Sequence, residues 1–112
     1  MLTVQRTKEF SEWLAALADP IGRAAIVARI VRLELGNVGD AKSVGGKVSE
    51  LRVDVGPGYR VYMTRTGATL QLLLCGGDKS SQEADINRAQ GIVEELDKTK
   101  KAAKATNKQR KK

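Results

Sequence analysis

The stretch from Val48 to Lys79 constrains the fold most, because apolar and polar residues alternate along two successive segments of it. Such alternation is typical of strands whose two faces meet different surroundings. A Gly-Pro-Gly break at residues 56–58 separates these segments. Thr66-Gly67 then precedes a third segment, Leu70–Cys75, which is too apolar for the edge of a sheet. The stretch therefore predicts a three-stranded antiparallel meander with its third strand inside the sheet.

The alternation also predicts how the strands pair, because a shift of one residue would reverse both faces of a strand. A three-residue turn at 56–58 would pair Val53 with Val61 on an apolar face. The third strand would continue this face by pairing Met63 with Leu70.

Polar side chains occupy the opposite face of the predicted meander: Glu50, Arg52, Asp54, Arg60 and Tyr62. The same turn would set Asp54 across from Arg60 and would bring Arg52 next to Tyr62. Two interpretations stay open. The face is either a solvated surface with cross-strand ion pairs or a functional surface built on arginine and tyrosine.

Residue counts exclude several classes of site. The chain has no histidine, and Cys75 is its one cysteine, so an intramolecular disulfide is excluded and a zinc site or an activated thiol nucleophile is disfavoured. No apolar run approaches the roughly 20 residues of a membrane span, and the N-terminus lacks a signal-peptide core. We therefore expect a cytoplasmic protein of one domain that uses no metal and no cofactor.

The net charge of +7 is concentrated at the C-terminal end. Residues 98–112 hold eight Lys and Arg and no acidic residue, which leaves 12 Lys and Arg against 13 Asp and Glu in residues 1–97, a balance of −1. We predict a single domain at 1–97 and a Lys-rich tail at 98–112 that is a frayed helix or disordered. The tail either strengthens association with nucleic acid or only keeps the chain end soluble.

The remaining elements follow from caps and apolar spacing. They are, in chain order, a strand at 2–6, a helix capped by Thr7, a second helix from Pro20 to Leu35 capped by Asp19, a glycine-rich loop at 36–47 and a last helix that starts at Ser80 with Glu83 in capping-box spacing. This order, β-α-α-β-β-β-α, predicts an α+β fold with a small antiparallel sheet. The two-helix hairpin would cover one sheet face and leave the other partly open.

Four short runs stand in a fixed order: Ser-Glu-Leu-Arg at 49–52, Gly-Pro-Gly-Tyr-Arg-Val-Tyr at 56–62, Leu-Leu-Cys-Gly-Gly-Asp-Lys-Ser at 73–80, and Asp85-Ile86 followed by Ala89. The set resembles the RelE/ParE toxin superfamily. More narrowly, it is similar to the phage-type addiction-module killer proteins, the HigB-like branch of type II toxin–antitoxin systems. The resemblance covers residues 1–97. It implies the element order given above and a cognate antitoxin, of the helix-turn-helix type, that neutralises the toxin.

The resemblance also implies an activity. The better-known branch of the superfamily cleaves messenger RNA on the ribosome, with the RNA 2′-hydroxyl as nucleophile and without a metal. The ParE branch shares the fold and targets DNA gyrase without cleaving RNA. Three functions therefore stay open: a ribosome-dependent endoribonuclease toxin, a gyrase poison, and a non-toxic binding protein on the same scaffold.

Individual site residues follow from the same resemblance. Arg60 matches the arginine of the Gly-Tyr-Arg motif and would stabilise charge on the phosphate. Arg52 and Lys79 match basic positions on the preceding strand and at the end of the third meander strand. Glu50 and Asp85 are candidates for a general base. The expected catalytic residues are thus Arg52, Arg60, Lys79, Glu50 and Asp85, and the expected RNA-binding residues are Arg52, Tyr62, Arg60 and Lys79.

Overall fold

The computed structural model of the chain describes residues 2–68 and 70–110. These residues form one five-stranded sheet and three α-helices, which confirms the predicted α+β class. The elements are β1 (Thr3–Arg6), α1 (Lys8–Ala16), α2 (Pro20–Glu34), β2 (Ala41–Gly45), β3 (Val48–Val53), β4 (Tyr59–Thr66), β5 (Leu70–Asp78) and α3 (Gln82–Arg110). The strand order is β1-β5-β4-β3-β2.

Side-chain caps start the first two helices as the sequence predicts. The Thr7 hydroxyl accepts a hydrogen bond from the Phe10 N–H at 3.0 Å and donates one to the Leu74 carbonyl at 2.6 Å, so the same side chain ties α1 to β5. Asp19 accepts from the Gly22 N–H at 3.0 Å, and Pro20 occupies the first turn of α2. These caps satisfy backbone donors that a helix start leaves unpaired.

The start of α3 differs from the prediction. Asp78, not Ser80, is the capping residue: its carboxylate accepts from the Ser80 N–H at 2.8 Å and begins a 3₁₀ turn, Lys79–Ser81, that leads into α3. The helix then runs for 29 residues and includes the predicted tail as far as Arg110. Lys111 and Lys112 lie outside the described residues. In the part of the chain that the structure describes, no helix is both long and apolar enough to cross a membrane.

The sheet has one strand more than predicted and is mixed, not purely antiparallel. Residues 41–45 of the predicted loop form β2, which pairs with β3 along the edge of the sheet. Gly46 and Lys47, with φ of 60° and 64°, make the two-residue turn between these strands. At the other edge, β1 runs parallel to β5, because the two helices return the chain to the same end of the sheet.

The register between β3 and β4 is shifted by two residues from the predicted one. Val53 pairs with Tyr59 and Leu51 with Val61, because the connecting loop spans residues 54–58. Gly56 and Gly58 adopt φ of 57° and 81° in this loop. A shift of two residues preserves both faces, so the predicted division into an apolar and a polar face holds. The predicted pairing of Asp54 with Arg60 is wrong, because Asp54 lies in the loop and Arg60 pairs with Arg52.

A bulge changes the pairing between β4 and β5. Tyr62 pairs with Cys75 but Met63 pairs with Leu73, so Leu74 is the extra residue. The predicted pairing of Met63 with Leu70 is therefore wrong. The bulge turns both Leu74 and Cys75 toward α3, whereas strict alternation would send them to opposite faces.

The two faces of the sheet carry separate cores. α1 and α2 cover one face with the buried side chains Phe10, Leu14, Ile26, Ile30 and Leu33, which pack on Leu51, Val53, Tyr59, Val61, Met63 and Leu73. α3 covers the other face with Ala89 and Val93, which join Val48, Tyr62, Leu74 and Cys75. The expectation that this second face stays partly open is thus wrong where α3 begins, since Glu50 and Tyr62 are fully buried there.

Candidate functional site

Five of the predicted site residues lie together where α3 covers the sheet, four on the sheet face and one on α3 itself. We call them the polar cluster: Glu50, Arg52, Arg60, Tyr62 and Asp85. Strand pairing sets Arg52 beside Arg60, and it sets Glu50 beside Tyr62. Asp85 belongs to the first turns of α3, and its charge acts on the Tyr62 hydroxyl. The cluster therefore joins β3, β4 and α3 at one point.

Glu50 is the centre of the polar cluster. Its side chain is fully buried, and its Oε1 lies 2.9 Å from Arg60 Nε and accepts a hydrogen bond from Gln82 Nε2 at 2.8 Å. The Arg60 N–H does not point along this contact, so the two groups form an ion pair without a directed hydrogen bond. The Arg60 side chain keeps 14% of its surface exposed. Glu50 thus holds a partly accessible arginine and the first residue of α3 at once.

Asp85 is held from the opposite side of the cluster. Its Oδ2 accepts a hydrogen bond from the Ser81 hydroxyl at 2.5 Å, and the residue is only 7% exposed. The carboxylate lies directly over Gly77, where a Cβ atom would collide with Asp85 Oδ2. Glycine at position 77 is therefore what lets α3 come so close to β5.

The polar cluster contains buried polar atoms that make no hydrogen bond. Among the described residues, four buried side-chain atoms have no hydrogen-bond partner, and all four belong to the polar cluster: Glu50 Oε2, Arg52 Nε, Arg60 Nε and Tyr62 OH. A buried polar group without a partner costs about 1–3 kcal/mol. Native proteins keep few such groups, and where they concentrate they mark a place where the chain gives up stability.

The Tyr62 phenol is held in its neutral form. Burial raises the pKa of Tyr62 most, and the nearby charges of Glu50 and Asp85 raise it further, against a smaller opposing effect of Arg60. The hydroxyl therefore stays protonated at neutral pH, so it can donate a hydrogen bond and carries no negative charge.

Cys75 is inert by the same physical argument. Burial raises the pKa of the thiol to about 12, with smaller contributions from Glu9 and Asp85. Its Sγ contacts the Asp85 carbonyl at 3.6 Å. Since the thiolate is the nucleophile, a buried thiol of this kind serves packing and not catalysis.

Lys79 lies at the rim of the cluster and not within it. The residue is exposed in the 3₁₀ turn, and a Cβ atom added to Gly58 would lie 3.7 Å from the Lys79 Cβ, so the lysine borders the loop between β3 and β4. Pairing of Arg60 with Gly77 puts Arg60 at the same end of the sheet. The preceding Asp78 keeps a lowered pKa because the Ser80 hydroxyl and N–H both donate to its carboxylate.

Sequence reasoning missed two residues of the site. Ser81 fixes Asp85, and the Asp78–Ser81 spacing is a capping-box signal that would have found it. Gln82 donates a hydrogen bond to Glu50, which is 32 residues away in the sequence, and no local pattern predicts that contact. Among the described residues there is no group of three or more His, Cys, Asp and Glu side chains arranged to hold a metal ion.

The basic residues of the arrangement can bind an anion where they reach the surface. Arg52 and Arg60 lie side by side and are both half-buried, and the exposed Lys79 adds a third positive charge at the rim. A phosphate group accepts several N–H donors at once, and guanidinium groups match its geometry. Glu50 and Asp85 balance the two arginines, so the site is a local arrangement of donors and not a broad positive surface.

One comparison with known proteins identifies a relative. A protein of Haemophilus influenzae is 46% identical to this chain over 95 residues, which cover 85% of this chain and 96% of that protein. The chain belongs to the family of that protein. The relative is described as an uncharacterized protein, so the likeness brings no activity with it. No protein-family model matches the chain, and no solved structure matches it.

Proposed function

We propose that the chain is the toxin of a type II toxin–antitoxin system, of the RelE/ParE superfamily and its HigB-like branch. It acts in the cytoplasm as a ribosome-dependent endoribonuclease on messenger RNA and so inhibits translation. It needs no metal and no cofactor. A cognate antitoxin of the helix-turn-helix type binds and neutralises it.

The observation that carries the proposal is the pairing of Arg52 with Arg60 at the edge of the polar cluster, each with a buried Nε–H that no protein acceptor uses. Two arginines brought together on neighbouring strands repel each other unless an anion lies between or behind them. Glu50 supplies the anion behind Arg60. A phosphate of the RNA supplies the anion in front.

Because the RNA supplies its own nucleophile, the protein has to supply charged groups in the right positions. The RNA 2′-oxygen bonds to the phosphorus and gives its proton to a base, while the bond from phosphorus to the 5′-oxygen breaks and the 5′-oxygen takes a proton from water. Arg52, Arg60 and Lys79 stabilise the added negative charge on the phosphate. Tyr62 donates a hydrogen bond from its neutral hydroxyl.

The two carboxylates have unequal roles in this proposal. Asp85 Oδ2 already accepts from Ser81, and Asp85 serves to hold the start of α3. Glu50 keeps one oxygen without a partner, so Glu50 is the better candidate to accept the 2′-proton. Because Glu50 is fully buried and bound by Gln82, the first turn of α3 must move aside when RNA binds.

The test is to supply purified protein with ribosomes and messenger RNA and to map the ends of the fragments. The proposal predicts fragments that carry a 2′,3′-cyclic phosphate or a 3′-phosphate, because the 2′-hydroxyl is the attacking group. The Arg52→Gln/Arg60→Gln double variant serves as the inactive control. Fragments with a 3′-hydroxyl would contradict the proposed mechanism.

The second candidate is a gyrase poison without nuclease activity. The burial of Glu50 and the low exposure of Asp85 favour it, because a base that RNA cannot reach abstracts no proton. A DNA gyrase cleavage assay separates the two functions. Stabilised gyrase–DNA cleavage complexes with intact messenger RNA would support the gyrase poison, and absence of both activities would leave a binding protein on this scaffold.

A further inference from the structure

The C-terminal part of α3 extends beyond the domain that it packs on. Ala89 and Val93 are its buried apolar residues, and the Asp97 carboxylate bonds to Lys47 at 3.1 Å near the end of the packed part. The helix continues from Lys98 to Arg110, which adds about 20 Å at 1.5 Å per residue. The overall dimensions, 56 × 30 × 24 Å, reflect this elongation.

Positive charge is concentrated on this extension and distributed unevenly around it. Residues 98–112 carry eight Lys and Arg and no Asp or Glu, whereas residues 1–97 carry a balance of −1. At 3.6 residues per turn, positions 100, 101, 104 and 108, all lysine, fall within about 100° of arc. The opposite arc holds the uncharged positions 99, 102, 103 and 106 and one cationic position, Arg110. The helical backbone therefore groups four lysine positions into one stripe.

The composition of the extension excludes two common partners of a basic helix. A helix that docks in a protein groove needs bulky apolar anchors at i, i+3, i+4 and i+7, and one that lies in a membrane surface needs Trp, Phe or Leu on its apolar face. After Leu96, the only apolar residues in the sequence are alanines. What remains is a partner that is recognised by its negative charge, and the phosphate backbone of a nucleic acid is the partner that this composition fits best.

Two further features indicate a duplex that is bound without regard to sequence. The extension has no aromatic residue on which unpaired bases could stack. Five of its six cationic residues are lysine, a point charge that neutralises phosphates but lacks the planar fork with which arginine reads guanine. We propose that residues 98–110 form an arm that binds the phosphate backbone of duplex RNA; the choice of RNA over DNA rests on the proposed function.

The experiment compares two variants of the full chain that lose the same charge. The arm variant is Lys100→Gln/Lys101→Gln/Lys104→Gln/Lys108→Gln. The matched body variant replaces four exposed residues outside the polar cluster, Lys8→Gln/Lys42→Gln/Arg32→Gln/Arg65→Gln. Both variants lower the net charge from +7 to +3. Binding to a labelled RNA duplex is measured by fluorescence anisotropy over a range of salt concentrations, with a DNA duplex and anionic phospholipid vesicles as further probes.

The arm variant should bind the RNA duplex on the order of tenfold or more weakly, and the slope of log affinity against log salt should fall by about 3, because each phosphate contact contributes roughly 0.7–0.9 to that slope. The body variant should keep the wild-type slope. Equal losses in the two variants would overturn the arm, since total charge would then explain the binding. Tighter binding to DNA than to RNA would overturn the choice of RNA. Loss of vesicle binding in the arm variant with unchanged RNA binding would assign the arm to a membrane surface instead.

These results are independent of catalysis, because the assay measures binding and all variants keep Arg52 and Arg60. If the wild type cleaves RNA and the arm variant binds normally, the arm proposal is wrong and the proposed function stands. If the arm variant binds weakly and the wild type cleaves no RNA, the arm proposal stands and the proposed function is wrong.

Discussion

The two faces of the sheet are built on opposite principles. Beneath α1 and α2 the contact is apolar: Phe10, Ile26 and Leu33 are fully buried against Leu51 and Val61. Beneath α3 the apolar contact is smaller and surrounds the polar cluster, whose buried atoms include all four that have no hydrogen-bond partner in the described residues. The first face stabilises the fold. The second gives up stability at one point, as sites that act on a ligand do.

The largest effect is expected on the first face. Phe10 is fully buried and lies 5.8 Å from the Trp13 ring, centroid to centroid. Phe10→Ala should lower the free energy of unfolding by about 3–5 kcal/mol, because it removes buried area and leaves a cavity. Urea denaturation measures the change. A loss below about 1 kcal/mol would show that this face does not carry the stability assigned to it.

The next effect tests the second face. Glu50→Ala leaves Arg60 without its ion-pair partner and Gln82 without its acceptor, and we expect a loss of about 3 kcal/mol, at the low end for a broken buried pair because Arg60 keeps some contact with solvent. Glu50→Gln is the matched control, since it retains an acceptor for Gln82 and removes only the charge. Wild-type stability of Glu50→Ala would mean that Glu50 does not organise the cluster.

A pH dependence separates a satisfied polar contact on the first face from the unsatisfied ones on the second. The Tyr59 hydroxyl donates to Asp19 at 2.6 Å, and this bond, followed by the one from the Gly22 N–H, lowers the pKa of Asp19 below 3.8. The ionised carboxylate therefore stabilises the fold above its unfolded pKa, and this contribution is lost as the pH falls through the lowered value.

Tyr59→Phe should accordingly flatten the fall of stability on the acid side. At the alkaline end the sign is opposite: the bond to Asp19 raises the pKa of Tyr59 above 10.0, so its contribution is present below that pH and is lost above the raised value. Unfolding free energies measured in the acid range and in the alkaline range check both expectations. Identical pH profiles for wild type and variant would show that the Asp19–Tyr59 bond does not contribute to stability.

The smallest effect is expected at Tyr62. Its hydroxyl is buried without a partner, so Tyr62→Phe removes a group that contributes no hydrogen bond. Stability should change by less than about 0.5 kcal/mol or rise slightly, in contrast to a buried tyrosine whose hydroxyl is bonded. Thermal unfolding gives the sign. A loss above about 1 kcal/mol would reveal a hydrogen bond at this hydroxyl and would make the second face more like the first.

The sequence predicts the first face better than the second. Helix caps at Thr7 and Asp19 and the alternation of β3 and β4 are local signals, and the structure confirms them. Residues 41–45 carry no alternation, and they form a strand because β3 offers an unpaired edge. The bulge at Leu74 has no signature in periodicity either, yet it decides that Leu74 and Cys75 both face α3.

The residues of the candidate site could be predicted from the sequence, but their burial under α3 could not. Alternation alone puts Glu50, Arg52, Arg60 and Tyr62 on one face. It cannot tell that α3 packs there, since the apolar stripe of a helix does not specify which sheet face receives it. Gly77 admits Asp85, and Gln82 reaches Glu50, only through tertiary contacts. The sequence therefore suggests an open surface where the structure has a closed cluster.

The central claim is that the second face acts on RNA through its arginines, and two substitutions on the same strand test it most directly. Arg60→Gln removes the charge from the polar cluster and keeps a donor for Glu50, while Arg65→Gln removes the same charge from the exposed end of β4, outside the cluster. Each variant is induced in a bacterial host, growth is followed, and folding is checked by urea denaturation. The account predicts that wild type and Arg65→Gln arrest growth and that folded Arg60→Gln does not. Full growth arrest by a folded Arg60→Gln variant would contradict it.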